Sequence, residues 1–100
     1  MSASLPQVLE MLRAHEGDLR RLGVRHAAVF GSVARGEEPP DSDVDVLVDL
    51  DSERPIGIFE YARLKLYICD LLGGSGDVVN RTCLKPSLRE SILRESVHAF

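Results

Sequence analysis

Residues 43–50 read Asp-Val-Asp-Val-Leu-Val-Asp-Leu, and this stretch holds the clearest strand pattern of the chain. Its side chains alternate with a period of two, which is typical of a β-strand with two different faces. One face is expected to carry Asp43, Asp45, Leu47 and Asp49, and the other Val44, Val46, Val48 and Leu50. The pattern predicts a strand with one aliphatic face and one face rich in carboxylates.

Asp43 and Asp45 are the first candidates for chemistry. Residues two apart on a strand project from the same face, and their bases lie about 6–7 Å apart. Two carboxylates this close repel each other when both are ionised, and a divalent cation removes that penalty. Mg²⁺ is commonly held by one or two protein carboxylates together with phosphate oxygens of a substrate. Two solvated acids on an exposed strand face are the alternative.

A glycine turn precedes this strand, in the run Gly31-Ser32-Val33-Ala34-Arg35-Gly36. The glycine allows close approach of a ligand to the backbone, and the N–H groups that start a short helical segment attract anions. Ser32 adds a hydroxyl, and Arg35 could contact a phosphate or pair with a nearby acid. An ordinary turn capped by Ser32 is the alternative. Together with Asp43 and Asp45, the turn is interpreted as a phosphate cradle that faces a metal site.

A third carboxylate would complete a centre for two metal ions, in which one ion activates the attacking oxygen and the other stabilises the leaving group. Asp77 is the best candidate, because it begins a short strand after a glycine-rich turn. It would lie beside Asp45 if the two strands are neighbours. Asp49 lies further along the same face and is expected to be solvated or salt-bridged.

The remaining pattern predicts helices around these strands. Helical periodicity and end signals favour one helix from Leu5 to Leu22 that ends at Gly23, a well-buried helix over 56–72 and a last helix that opens at Lys85-Pro86. Apolar runs predict strands Val24–Phe30 and Asp77–Asn80 in addition to Asp43–Leu50. The predicted fold class is α+β, with a small mixed β-sheet flanked by helices.

Composition limits the classes of protein and of partner. The 100 residues are 44% hydrophobic and 28% charged, which fits one domain over residues 1–100. Apolar runs are too short for a membrane span and the N-terminus lacks a signal-peptide pattern, so a cytoplasmic protein is expected. The net charge of −4 argues against a general grip on nucleic acid, so a nucleic-acid primer is not expected.

The combined motif, Gly31-Ser32-x-Ala34-Arg35-Gly36 followed by Ser42-Asp43-x-Asp45, resembles the signature of the polymerase-beta-type nucleotidyltransferase superfamily. Within that superfamily, the length and layout are similar to the minimal nucleotidyltransferase (MNT) antitoxins of prokaryotes. The resemblance implies transfer of AMP from ATP with two Mg²⁺ ions. It also implies a HEPN-type RNase toxin as partner, silenced by addition of AMP to a tyrosine hydroxyl.

The same resemblance implies roles for particular residues. The triphosphate would be bound by Gly31, Ser32, Arg35 and Ser42. The catalytic and metal-ligating residues would be Asp43, Asp45 and Asp77, of which Asp77 would also help to activate the acceptor hydroxyl.

Two other functions stay open at this point. A non-catalytic antitoxin could neutralise its toxin by complex formation, with Tyr61, Tyr67 and their helix, or the basic C-terminal helix, as the interface. Transfer to a small molecule such as an aminoglycoside is the third, and it is disfavoured because a second domain that could build a substrate pocket is not evident. The sequence leaves homo- and hetero-oligomers equally open.

Overall fold

A computed structural model describes residues 5–31, 34, 44–51, 53, 56–73 and 76–100. The elements, in chain order, are α1 (Leu5–Ala14), α2 (Glu16–Arg21), β1 (Val24–Phe30), β2 (Val44–Leu50), α3 (Ile58–Leu71), β3 (Gly76–Asn80), a 3₁₀ turn (Arg81–Cys83), α4 (Pro86–Glu95) and β4 (Val97–His98). None of the described helices is long and apolar enough to cross a membrane. The predicted α+β class is confirmed.

The strands form one mixed sheet in the order β3-β2-β1-β4. β1 runs antiparallel to β2 and to β4, whereas β2 and β3 are parallel and are connected through α3. A parallel pair needs such a crossover, because the chain must return to the same end of the sheet before the next strand starts. The crossover therefore brings the start of β3 beside the start of β2.

One face of the sheet holds the core. The aliphatic side chains of β2 pack there with Leu64 and Ile68 of α3 and with buried residues of α1 and α2. The opposite face is here called the open face. It carries His26, Ala28, Phe30, Asp45, Leu47, Asp49, Asp77, Val79 and His98, as the strand registers and the period of two require. The predicted division of β2 into an aliphatic face and a carboxylate-bearing face is confirmed.

Two predictions of local structure were wrong, and one strand was missed. The helix predicted over Leu5–Leu22 is broken at His15, whose imidazole nitrogen lies 2.9 Å from the Met11 carbonyl oxygen and whose backbone (φ −107°, ψ 16°) is not helical. β4 was missed because a strand of two residues has no readable periodicity. The helix over 56–72 is buried on one side only, since Phe59 and Leu66 are 89% and 67% exposed.

Candidate active site

Asp45 and Asp77 are direct neighbours across the parallel strands β2 and β3. Neighbouring strands lie about 4.8 Å apart, and residues in register project from the same face. Asp45 is partly buried and Asp77 is exposed, so their carboxylates lie together at one end of the open face. Asp45 and Asp77 are here called the acid pair. Their pairing meets the condition stated in the sequence analysis, that Asp77 lies beside Asp45 if the two strands are neighbours.

Gly31 lies directly against the acid pair. It follows β1 with φ +79°, a backbone conformation that glycine adopts without strain. A Cβ atom built on Gly31 would collide with a carboxylate oxygen of Asp45 and would lie 3.2 Å from its Cγ. The Asp45 carboxylate can therefore occupy this position only because residue 31 has no side chain. This contact also brings Gly31 and Asp45 into one site.

Four other predicted site residues, Ser32, Arg35, Ser42 and Asp43, lie outside the described residues. Their assignment to nucleotide, and that of Asp43 to metal and catalysis, therefore stay predictions. The short helical segment predicted to run from Ser32 to Arg35 lies in the same region.

The two described carboxylates of the site, those of Asp45 and Asp77, fit a hard divalent cation. Two carboxylates in register supply the oxygen ligands that Mg²⁺ prefers, and the remaining positions around such an ion are usually filled by water and substrate phosphates. No group of three His, Cys, Asp or Glu residues converges within the described residues. Asp43, the third expected ligand, is not among them.

Tyr61 of α3 lies near the opposite end of β3, beside Asn80 and Cys83. Its pKa is raised above the usual value of 10.0, mainly by burial and then by the negative charges that Cys83 and Asp77 can carry. A hydrogen bond with the backbone of Asn80 acts in the opposite direction. The phenol is therefore neutral at physiological pH, and it adds no charge to the surroundings of Asp77.

Further along the open face, the carboxylate of Asp49 pairs with the guanidinium of Arg81 at 3.5 Å. The expectation that Asp49 would be solvated or salt-bridged is confirmed. Arg81 was missed by the sequence analysis. The available signal was its position four residues after Asp77, because the period of two continues from Asp77 through Val79 to Arg81.

The sheet order, the acid pair and Gly31 against it have the form of a nucleotidyltransferase domain. The sequence profile of the family described as "Nucleotidyltransferase domain" matches residues 12–98. The chain therefore belongs to the nucleotidyltransferase family and is an enzyme of that class.

Among proteins of known assignment, the chain is similar to the protein adenylyltransferase MntA of Thermococcus cleftensis. The two are 42% identical over 96 residues, which cover 95% of each chain. A solved structure described as a candidate minimal nucleotidyltransferase superposes with a TM-score of 0.70 at 44% identity, over 89% of this chain and 93% of the other. These matches confirm the resemblance to the minimal nucleotidyltransferases.

A third similarity concerns the fold alone. The solved complex of a tri-AMPylated HEPN toxin of Shewanella oneidensis with an MNT antitoxin contains a chain that superposes with a TM-score of 0.63. The identity is 14%, and the match covers 92% of this chain and 71% of the other. The mixed sheet with flanking helices is therefore shared with a chain from a toxin–antitoxin complex.

Proposed function

We propose that this protein transfers AMP from ATP to a hydroxyl group of a HEPN-type RNase toxin, with Mg²⁺, and that it thereby acts as an antitoxin. The observation that carries the proposal is the register of Asp45 with Asp77, beside a glycine whose lack of a side chain accommodates the Asp45 carboxylate. Similarity to MntA, a protein adenylyltransferase, supports AMP as the transferred group. The fold shared with a chain from a HEPN–MNT complex supports the partner class.

In this proposal, residues 1–100 form a single minimal nucleotidyltransferase domain. The metal ligands and catalytic residues are Asp43, Asp45 and Asp77, and the triphosphate is bound by Gly31, Ser32, Arg35 and Ser42. Bound Mg²⁺ would neutralise the carboxylates and draw electron density from the phosphate that is attacked. Asp77 accepts the proton of the acceptor hydroxyl, whose oxygen bonds to the α-phosphorus while pyrophosphate leaves.

A second candidate function is neutralisation by complex formation without catalysis. It is favoured by one observation, an exposed apolar surface on α3. Ile58, Phe59 and Leu66 are 86%, 89% and 67% exposed, although large apolar side chains are usually covered in a folded protein. Such a surface would serve either function, because an enzyme that modifies a protein must also bind it.

Labelled ATP separates the two functions. The protein is incubated with ATP labelled at the α-phosphate, Mg²⁺ and the product of its neighbouring gene, and label on that partner is measured. We expect transfer by the unmodified protein and by the control Asp70→Asn, which changes an exposed acid of α3, and none by Asp43→Asn or Asp45→Asn. Neutralisation of the partner by both of these variants, with no label on it in any sample, would establish the non-catalytic function instead.

A further inference from the structure

A cleft of about 320 Å³ lies on the open face beyond the acid pair. This volume is within the range of small-molecule binding sites. Its lining combines an apolar part with a few polar groups, and it includes His26, Ala28, Leu47, Asp49, Arg81 and Leu93. Such a composition is typical of a pocket in which apolar side chains contact the face of a ring and polar groups form hydrogen bonds with its edge.

The cleft and the acid pair lie on the same face and share strand β2. Asp45, Leu47 and Asp49 alternate along β2, so Asp49 lies about 13 Å from Asp45 at a rise of about 3.3 Å per residue. This separation is comparable to the length of a nucleoside monophosphate from its phosphate to the far edge of its base. A nucleotide whose phosphate is near the acid pair can therefore reach the cleft with its base.

The polar side chains of the cleft are those of His26, His98, Asp49 and Arg81, and the last two place an acceptor beside a donor. Arg81 Nη1 and Asp49 Oδ2 are 3.5 Å apart, which is longer than a well-formed hydrogen bond. The side chains are 44% and 26% exposed, so a ligand can approach both. Arg81 Nε is buried without a hydrogen-bond partner among the described residues. A buried N–H group without a partner in the protein is uncommon, and this donor is available for a further hydrogen bond.

We propose that this cleft binds an adenine ring, with Asp49 and Arg81 reading its edge. The 6-amino group of adenine donates a hydrogen bond to the Asp49 carboxylate, and the adjacent ring nitrogen accepts one from the Arg81 guanidinium. Ala28 leaves space for the flat ring, while Leu47 and Leu93 supply apolar contact. The choice of adenine rests on the proposed function, in which the transferred nucleotide is AMP.

Adenine can come from two sources in this reaction. It can belong to the ATP substrate, or to an AMP group already attached to the acceptor, whose ribose hydroxyl would then be the next acceptor. Both sources present the same ring edge to Asp49 and Arg81. The experiment therefore tests the adenine contact first and its source afterwards.

Binding of AMP to the isolated protein tests the contact. Dissociation constants are measured by nuclear magnetic resonance for AMP and for purine riboside 5′-monophosphate, which has hydrogen in place of the 6-amino group. We expect the protein to bind AMP about 10- to 100-fold more tightly, the effect of one hydrogen bond to a charged group. In Asp49→Ala this preference should disappear. Arg81→Met should weaken both ligands equally, since both retain the ring nitrogen.

Matched controls come from an ion pair on α2. Arg20 and Glu16 are 2.8 Å apart with side chains 48% and 39% exposed, so Glu16→Ala and Arg20→Met remove a similar pair elsewhere. Both should bind AMP as the unmodified protein does. Asp49→Leu, which has a similar size but no hydrogen-bond acceptor, replaces Asp49→Ala if the latter does not fold. Equal binding of the two ligands to the unmodified protein, or an unchanged preference in the Asp49 variants, would overturn the proposal.

Competition then identifies the source. AMP is titrated in the presence of Mg²⁺ and a saturating ATP analogue that cannot be cleaved. Loss of AMP from the cleft assigns the site to the adenine of ATP, whereas simultaneous binding assigns it to transferred AMP. Because no partner protein or AMP transfer is involved, failure of the proposed function would leave these measurements unaffected.

Discussion

Substitution of Gly31 by alanine tests whether the glycine turn and Asp45 form one site. Residue 31 has φ +79°, and an L-residue other than glycine loses about 1–2 kcal/mol in this region because its Cβ approaches the following carbonyl oxygen. The new Cβ would also collide with the Asp45 carboxylate. Gly31→Ala should therefore lower the free energy of unfolding and displace Asp45 as well.

Gly73 offers a matched control for the backbone effect. It has φ +75°, and a Cβ built there meets no atom within 4 Å in the part of the chain that the structure describes. Gly73→Ala should lose a similar 1–2 kcal/mol, which lowers the melting temperature by about 4–8 °C per kcal/mol in a domain of this size. Its AMP transfer should nevertheless stay close to that of the unmodified protein at a temperature where both are folded.

Transfer activity then isolates the contact with Asp45. Displacement of a catalytic group by about 1 Å can reduce a rate about a hundredfold, so Gly31→Ala should lose about two orders of magnitude in transfer. Thermal unfolding and transfer of labelled AMP to the partner are measured on both variants. If Gly31→Ala and Gly73→Ala transfer AMP at equal rates, the contact between Gly31 and Asp45 has no catalytic consequence and the reasoning is refuted.

Three further outcomes are expected. Mg²⁺ should raise the melting temperature of the unmodified protein and not that of Asp45→Asn. The variant lacks one metal ligand, and it also lacks the repulsion between carboxylates that the ion relieves. An equal rise in the melting temperatures of both proteins would count against the metal site. Leu64→Ala, fully buried in α3, should cost about 2–5 kcal/mol in urea unfolding, whereas Phe59→Ala, 89% exposed, should cost under about 0.5 kcal/mol. Tyr61 and Tyr67 have raised pKa values, the first mainly through burial and the second through burial and the charge of Asp18, so ultraviolet titration should show both ionising above pH 10.0. Since the folded state favours the neutral phenols, their contribution to the free energy of unfolding should be fully present below pH 10 and fall as pH rises above it, and it should fall less in Tyr61→Phe.

The strands and the shared face of the acids could be predicted from the sequence, because a period of two is a local property. Val24–Phe30 was predicted with the observed bounds, and β2 begins one residue after the predicted start, at the first described residue of that region. The pairing of Asp45 with Asp77 could be predicted only on the condition that their two strands are neighbours. Strand order depends on how α3 crosses the sheet, and no local pattern near either residue contains that information.

The exposed side of α3 could not be predicted, because this helix is apolar on more than one side. At 100° per residue, Phe59 and Leu66 lie about 140–160° around the helix from Leu64, which faces the sheet. Periodicity alone cannot tell which apolar side is covered when both are present. Arg81 was missed for a different reason, since it follows β3 in a 3₁₀ turn and its partner Asp49 belongs to a strand distant in sequence.

The strand order predicts that the two residues of the acid pair differ in local stability. Asp45 belongs to β2, which is hydrogen-bonded on both sides, whereas Asp77 is the second residue of β3, which forms an edge of the sheet. The ends of edge strands open by local fluctuations that require far less free energy than global unfolding. The two carboxylates should therefore differ in hydrogen-exchange protection, with the amides at the start of β3 exchanging faster than those of β2. A ligand that bridges both acids would suppress this local opening of β3. Slower hydrogen exchange at the amide of Asp77 would therefore indicate that the ligand is bound.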